Sequence, residues 1–199
     1  MAVYTAIDNP ELFHQVKLYT GNYDTNAITL DGTENMQPDW VWIKERSSTS
    51  DHSLHDSVRT STKIVKSSTN AAEITRDVAS GAPSITAFNS DGFTLGANNG
   101  VNENSQTYVA WCWKAGGSAS SNSNGGISSS VSASTTAGFS IVTWTGNGSD
   151  ATVGHGLSSA VQMYAVKNRD DAADWRIGQT VAGNTMTAGN GYYMEWNDT

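Results

Sequence analysis

Cysteine and proline are nearly absent: Cys112 is the only cysteine, and there are three prolines in 199 residues. A lone thiol excludes an internal disulfide and any zinc site built from cysteines alone. Basic residues are also few, with 11 Lys and Arg against 19 Asp and Glu and a formal charge of −8. No basic cluster offsets that charge, so phosphate is repelled and nucleic-acid partners are disfavoured. Membrane insertion is not expected, because no apolar run reaches the ~20 residues that a spanning helix needs. Met1 to Phe13 has neither the basic start nor the apolar stretch of a signal peptide, which points to synthesis in a reducing cytosol.

Aliphatic bulk is scarce as well. Hydrophobic residues make up 37%, and seven tryptophans and seven tyrosines supply much of the volume. The core is expected to lean on these rings. The strongest strand signal is Gln37-Pro38-Asp39-Trp40-Val41-Trp42-Ile43-Lys44-Glu45-Arg46. On an extended backbone Trp40 and Trp42 point one way and Val41 and Ile43 the other, so both faces are apolar. This reads as a central strand, with the Trp40–Trp42 pair filling a sandwich core. Thr107 to Lys114, with Trp111 and Trp113, has the same character.

Around it lie many short extended segments. Gln15 to Thr20 alternates, Gly21 to Asp24 turns the chain, and Asn26 to Leu30 is a second strand. Ser53 to Arg59 and Lys63 to Lys66 follow. Asn89-Ser90-Asp91-Gly92 is a hairpin turn between Ile85–Phe88 and Phe93–Leu95. Thr69 to Arg76 is the best helical candidate, at barely two turns, and Gly96 to Ser105 reads as loop. Short strands at regular spacing predict an all-β fold, an antiparallel β-sandwich of jelly-roll or lectin-like type.

Residues 115–138 break this composition, being rich in Gly, Ser, Ala and Asn, and read as a flexible connector. Ile127 and Val131 leave room there for a lone edge strand. Beyond it the pattern returns. Thr20-Gly21-Asn22 recurs as Thr145-Gly146-Asn147, 125 positions on, and Ile43-Lys44-Glu45-Arg46 as Val166-Lys167-Asn168-Arg169, 123 positions on. Asp51 and Leu54 find Asp174 and Ile177 at the second offset. This predicts an internal duplication: a docking arm at 1–15, a complete first unit at 16–114, a connector at 115–138 and a second unit at 139–199. The closing strand of the first unit has no equivalent by Thr199, so the second unit is expected to be incomplete, its strands lying in a longer polypeptide or in a partner.

Thr20-Gly21-Asn22, Gln37 to Lys44, Asp56-Ser57-Val58-Arg59, Phe88 to Gly96 and Gln106 to Lys114 together resemble a tandemly repeated domain of bacteriophage structural proteins. The family is common in marine phages, including cyanophages, and is associated with tail fibres. Thr136 to Val142 and Val153-Gly154-His155-Gly156-Leu157 resemble the opening of its second copy. Ser158 to Gln162 departs from the family, which has Pro and Lys before the second central strand. The resemblance implies a virion part located in the tail and made in the cytoplasm of a bacterial host. It also implies partners of the tail adaptor, nozzle or baseplate type and assembly as a homotrimer.

Asp8, Pro10, Glu11, Leu12 and Phe13 are the candidate tail-docking residues: Asp8 or Asn9 can cap a short helix whose first position suits Pro10. The reading weighed against this is a leader folded over its own domain. Tyr23, in a turn, and Trp144 are candidate glycan contacts under a lectin-like alternative, and a capsid decoration protein is a third reading. Catalysis is not expected. No Gly-x-Ser-x-Gly elbow occurs, Cys112 lies mid-strand, and the adjacent Asp170 and Asp171 project apart. Asp51-His52-Ser53-Leu54-His55-Asp56 is no metal site, since His52 and His55 face opposite sides of a strand. No cofactor is expected.

Overall fold

The computed structural model describes residues 7–179 and 194–197. The first unit consists of β1 (His14–Thr20), β2 (Asn26–Thr29), β3 (Trp40–Glu45), β4 (Ser53–Asp56), β5 (Thr60–Val65), β6 (Ile74–Thr75), β7 (Ile85–Asn89), β8 (Gly92–Leu95), a single helical turn α1 (Asn99–Asn102) and β9 (Thr107–Trp113). These strands form a six-stranded sheet, ordered β1-β9-β3-β4-β5-β6, and a three-stranded sheet, ordered β2-β8-β7. Every pair in them is antiparallel. The fold is all-β, and β3 is a central strand as its two apolar faces predict.

The two sheets close over one core. Val41, Ile43, Ala110, Cys112 and Tyr108 from the larger sheet meet Ile28, Ile85, Phe93 and Leu95 from the smaller. Tyr19 and Tyr108 stack at 5.1 Å, and the Tyr19 hydroxyl donates to the Val101 carbonyl at 2.7 Å. Gly92 permits the close approach of β8 to β2: it has φ +118°, and an added Cβ would lie 2.0 Å from the Ile28 carbonyl oxygen.

Three expectations are corrected. The Trp40–Trp42 and Trp111–Trp113 pairs do not fill the sandwich core. Alternation sends Val41, Ile43, Ala110 and Cys112 inward, where they are fully buried, and leaves the tryptophans half-buried on the opposite face. Thr69 to Arg76 forms no helix; it is irregular up to β6. Its backbone is engaged elsewhere, the Glu73 amide donating to the Arg169 carbonyl and the Asn70 carbonyl accepting from Ala173. Gly96 to Ser105 is not all loop, since it holds α1.

The Gly/Ser-rich stretch 115–138 carries β10 (Ser120–Asn122) and β11 (Ser129–Ser134), which pair with β12 (Phe139–Trp144) in a three-stranded sheet. Small side chains suffice because the strands are held by backbone bonds and by hydroxyls such as Ser132 Oγ, which donates to Gly117 O at 2.7 Å. Beyond it, β13 (Met163–Val166) and β14 (Arg176–Gln179) make a two-stranded hairpin.

That hairpin has the register of β3–β4. Trp40 faces Asp56, Val41 His55, Trp42 Leu54 and Ile43 Ser53. At an offset of 123, Met163 faces Gln179, Tyr164 Gly178, Ala165 Ile177 and Val166 Arg176. The turns after the two strands also match. Lys44 Nζ donates to the carbonyls of Glu45 and Ser48, and Lys167 Nζ donates to those of Asn168 and Asp171. Ile177 bridges Met194 as Leu54 faces Val65.

Candidate functional site

The outward face of the six-stranded sheet is lined with aromatic rings. Register places Trp40 opposite Trp113 and Trp42 opposite Trp111, with His14 and Val16 continuing the rows on β1. The rings interlock edge-on: Trp42 and Trp111 lie 6.0 Å apart, and His14 and Trp113 lie 4.7 Å apart. Trp42 Nε1 donates to His52 Nδ1 at 2.8 Å. Burial, with the Lys44 charge nearby, keeps the His52 imidazole below its ordinary pKa and so neutral near pH 7.

Later residues cover part of this face. Phe139 of β12 lies 6.5 Å from Trp40 and 6.3 Å from Trp113, and Trp196 lies tilted at 5.2 Å from both Trp42 and Trp175. Trp175 and Ile177 pack on Leu54 and Val65 to form a second buried cluster. Full burial of each such side chain contributes roughly 1.5–3 kcal/mol. The β1 end stays open, with Val16 47% and Leu18 57% exposed beside Trp111 and Val109.

Polar contacts fasten the later residues. Glu73 accepts from Arg59 at 3.0 Å and from Arg169 at 2.8 Å through both carboxylate oxygens. Burial opposes its ionisation, but the hydrogen bonds from Arg169 and Arg59 outweigh that and hold Glu73 below the usual carboxylate range. Trp175 Nε1 donates to the Lys66 carbonyl at 2.7 Å. The buried Asp39 carboxylate accepts from Ser57 Oγ and from the amides of Ala115 and Gly117, which fixes the exit of β9. Shallow depressions of about 420 and 400 Å³ flank that exit, the first lined by Ser120, Asn122 and Ser132 and the second by Gln37, Asp39, Ala115 and Thr135.

The tail-docking candidates fold onto their own unit. Pro10–Leu12 is a 3-10 turn capped by Asn9 Oδ1, which accepts from the Glu11 amide. Glu11 Oε2 accepts from Thr33 N and Oγ1, and Gln15 joins the Glu11 and Glu34 carbonyls. Asp8 and Pro10 are exposed, and Leu12 and Phe13 are half-buried. The start of that arm, residues 1–6, lies outside the described residues. Tyr23 (49% exposed) and Trp144 (39% exposed) are both open to solvent but are not brought together. Tyr23 sits at φ +56° between β1 and β2, and Trp144 ends β12 opposite Ser129.

Cys112 and His55 are buried. Burial pushes the Cys112 thiol up to about 12. His55 is fully enclosed, its Nδ1 3.2 Å from the Ser61 carbonyl and its Nε2 3.4 Å from Ser84 Oγ, with Ser84 also buried. Asp56 binds Arg59 and leaves no free carboxylate beside His55. Among the described residues no group of three or more His, Cys, Asp or Glu is placed to hold a metal ion, and no helix is long and apolar enough to cross a membrane.

Sequence reasoning missed the Arg59–Glu73–Arg169 bridge and the open Val16–Leu18 strip. The first had no local signal, as its members are 14 and 96 residues apart. The second was legible as an apolar row on β1, but its exposure depends on which strand ends the sheet. No curated protein and no solved structure matches this chain. One family does, across residues 9–199, and the chain belongs to it: Domain of unknown function (DUF7483).

Proposed function

We propose that the chain is a structural module of a bacteriophage virion, part of a tail fibre or tail-associated protein, with no catalytic role of its own. Its task is mechanical: to join tail partners at one end and to project β units outward. The motif strings from Thr20 to Lys114 support this reading through their resemblance to phage tail proteins. The observation that carries it is serial construction. A hairpin repeated in register at a fixed offset is braced against the first unit by the Trp175–Ile177 cluster and the Glu73 bridge. Such bracing suits a load-bearing rod.

The Val16–Leu18 strip is where symmetric copies would meet in the proposed trimer. Leu18→Lys is expected to lower the oligomer mass in sedimentation while leaving the thermal midpoint within a few degrees. Gold-labelled antibody against the chain, applied to phage particles, tests the location. Tail label supports the reading, head label transfers it to capsid decoration, and absence from particles ends it. Deleting residues 1–14 is expected to abolish incorporation, and a deletion that still incorporates removes the docking role of Asp8 to Phe13.

The exposure of Tyr23 and Trp144 favours a second reading, contact with host surface glycan. Glycan-array binding lost in Tyr23→Ala and Trp144→Ala, with folding unchanged, would establish it.

A further inference from the structure

β13 is built like β3 but lacks the neighbour that β3 has. In the first unit β3 lies between β4 and β9. In the hairpin β13 pairs only with β14, and no other strand among the described residues pairs with it. The counterpart of a strand paired along both edges is thus open among the described residues: Met163 is 54% and Tyr164 40% exposed.

The backbone shows which groups face the open edge. The Arg46 amide donates to the Thr107 carbonyl, so alternate residues Trp40, Trp42 and Lys44 direct their N–H and C=O groups at β9. The Ser57 amide donates to the Asp39 carbonyl, so the residues between them face β4. At the offset of 123, Met163 and Ala165 face the open edge and Tyr164 and Val166 face β14. The bond pair between Ile177 and Met194, on the far side of β14, fits the same parity.

Two sheet ends of the first unit are blunted. β6 has two residues, and β1 carries Lys17, which is turned toward the core face and paired with Asp31. β13 has no proline or charge from Met163 to Val166. Unprotected edges of this kind accept strands.

We propose that the open edge of β13 receives an antiparallel strand from a partner polypeptide. The partner strand carries the alternation of β9, with bulky aromatics on one face and small or apolar residues on the other. The β3–β9 register predicts the seating, a Trp113-like residue opposite Met163 and a Trp111-like residue opposite Ala165. A second copy of this chain does not offer its own β9, which is paired along both edges. This inference stands apart from the virion reading and holds for any protein that uses this hairpin.

The test adds a synthetic peptide of residues 106–114 to the intact chain and follows amide hydrogen exchange. The expected result is exchange slowed by roughly tenfold or more at Met163 and Ala165, with β1 unaffected. In β9 the amides of Val109 and Trp111 face β3, and those of Tyr108 and Ala110 face β1. Peptide N-methylated at the former pair is expected to lose binding, and peptide N-methylated at the latter pair to keep it. Ala165→Pro, which deletes an edge-facing N–H, is expected to abolish protection. Protection that ignores the methylation pattern, or that falls on β1, overturns the proposal. So does self-association of the chain that protects the same amides without peptide, since the occupant is then a second copy.

Discussion

At the residue scale, His55 links folding to acidity. The imidazole is completely enclosed, its pKa pulled down to about 3 by burial and by the Arg59 guanidinium, against the weaker pull of the Ser61 carbonyl. The unfolded chain protonates this ring near its ordinary 6.5, and the folded chain does not. The unfolded state therefore binds more protons between these values, and stability falls as pH drops. It is complete above about 6.5 and declines by roughly 1.4 kcal/mol per pH unit below it. His14 and His52 are shifted the same way by burial and add to the slope. Urea melts of the wild type and His55→Gln at pH 7.0, 6.0 and 5.0 are expected to show a shallower decline in the variant. Equal slopes would mean that the ring is not closed to protons.

At the scale of elements, the β13–β14 hairpin is a separately fastened piece. Glu73→Ala removes the acceptor shared by Arg59 and Arg169 and leaves Asp56 as the remaining carboxylate partner of Arg59. Amide exchange is expected to quicken in residues 167–179, with little change in β3 and β9, whose bonds lie in the other core. Uniform quickening throughout would show that the hairpin has no independent docking.

This scale also separates what the sequence could reveal from what it could not. β1, β2, β3, β7, β8 and β9 were legible because alternation and Asn/Asp-Gly turns act over neighbouring residues. The Val-Lys-Asn-Arg string raised the expectation of a duplication, and the β13–β14 pairing matches that of β3–β4 at the same offset of 123. Local pattern did not show which face of β3 the second sheet would take. Both faces are apolar, and the choice of Val41 and Ile43 over the tryptophans rests on how β2, β8 and β7 pack across. Nor could composition show that residues 120–134 make strands, since serine hydroxyls and backbone bonds replace the missing apolar contacts. Of the named site residues, Tyr23 and Trp144 lie at the surface. Asp8 to Phe13 were read as a short capped arm ahead of the first strand, and their ties to Thr33 and Glu34 had no sequence signal.

At the scale of the whole molecule, two sheets enclose one apolar interior and the later residues are strapped over the outer face. The buried Asp39 carboxylate and the Glu73 bridge hold those straps at points far apart in sequence. The lone thiol of Cys112 lies inside this interior on β9, between Val41 and Gln15 in the register. Its exposure is zero. A maleimide dye is therefore expected to leave the native chain unlabelled and to capture Cys112 only when β9 separates from its neighbours. The molecule thus contains its own stopwatch, and the delay before fluorescence appears counts the interval between spontaneous openings.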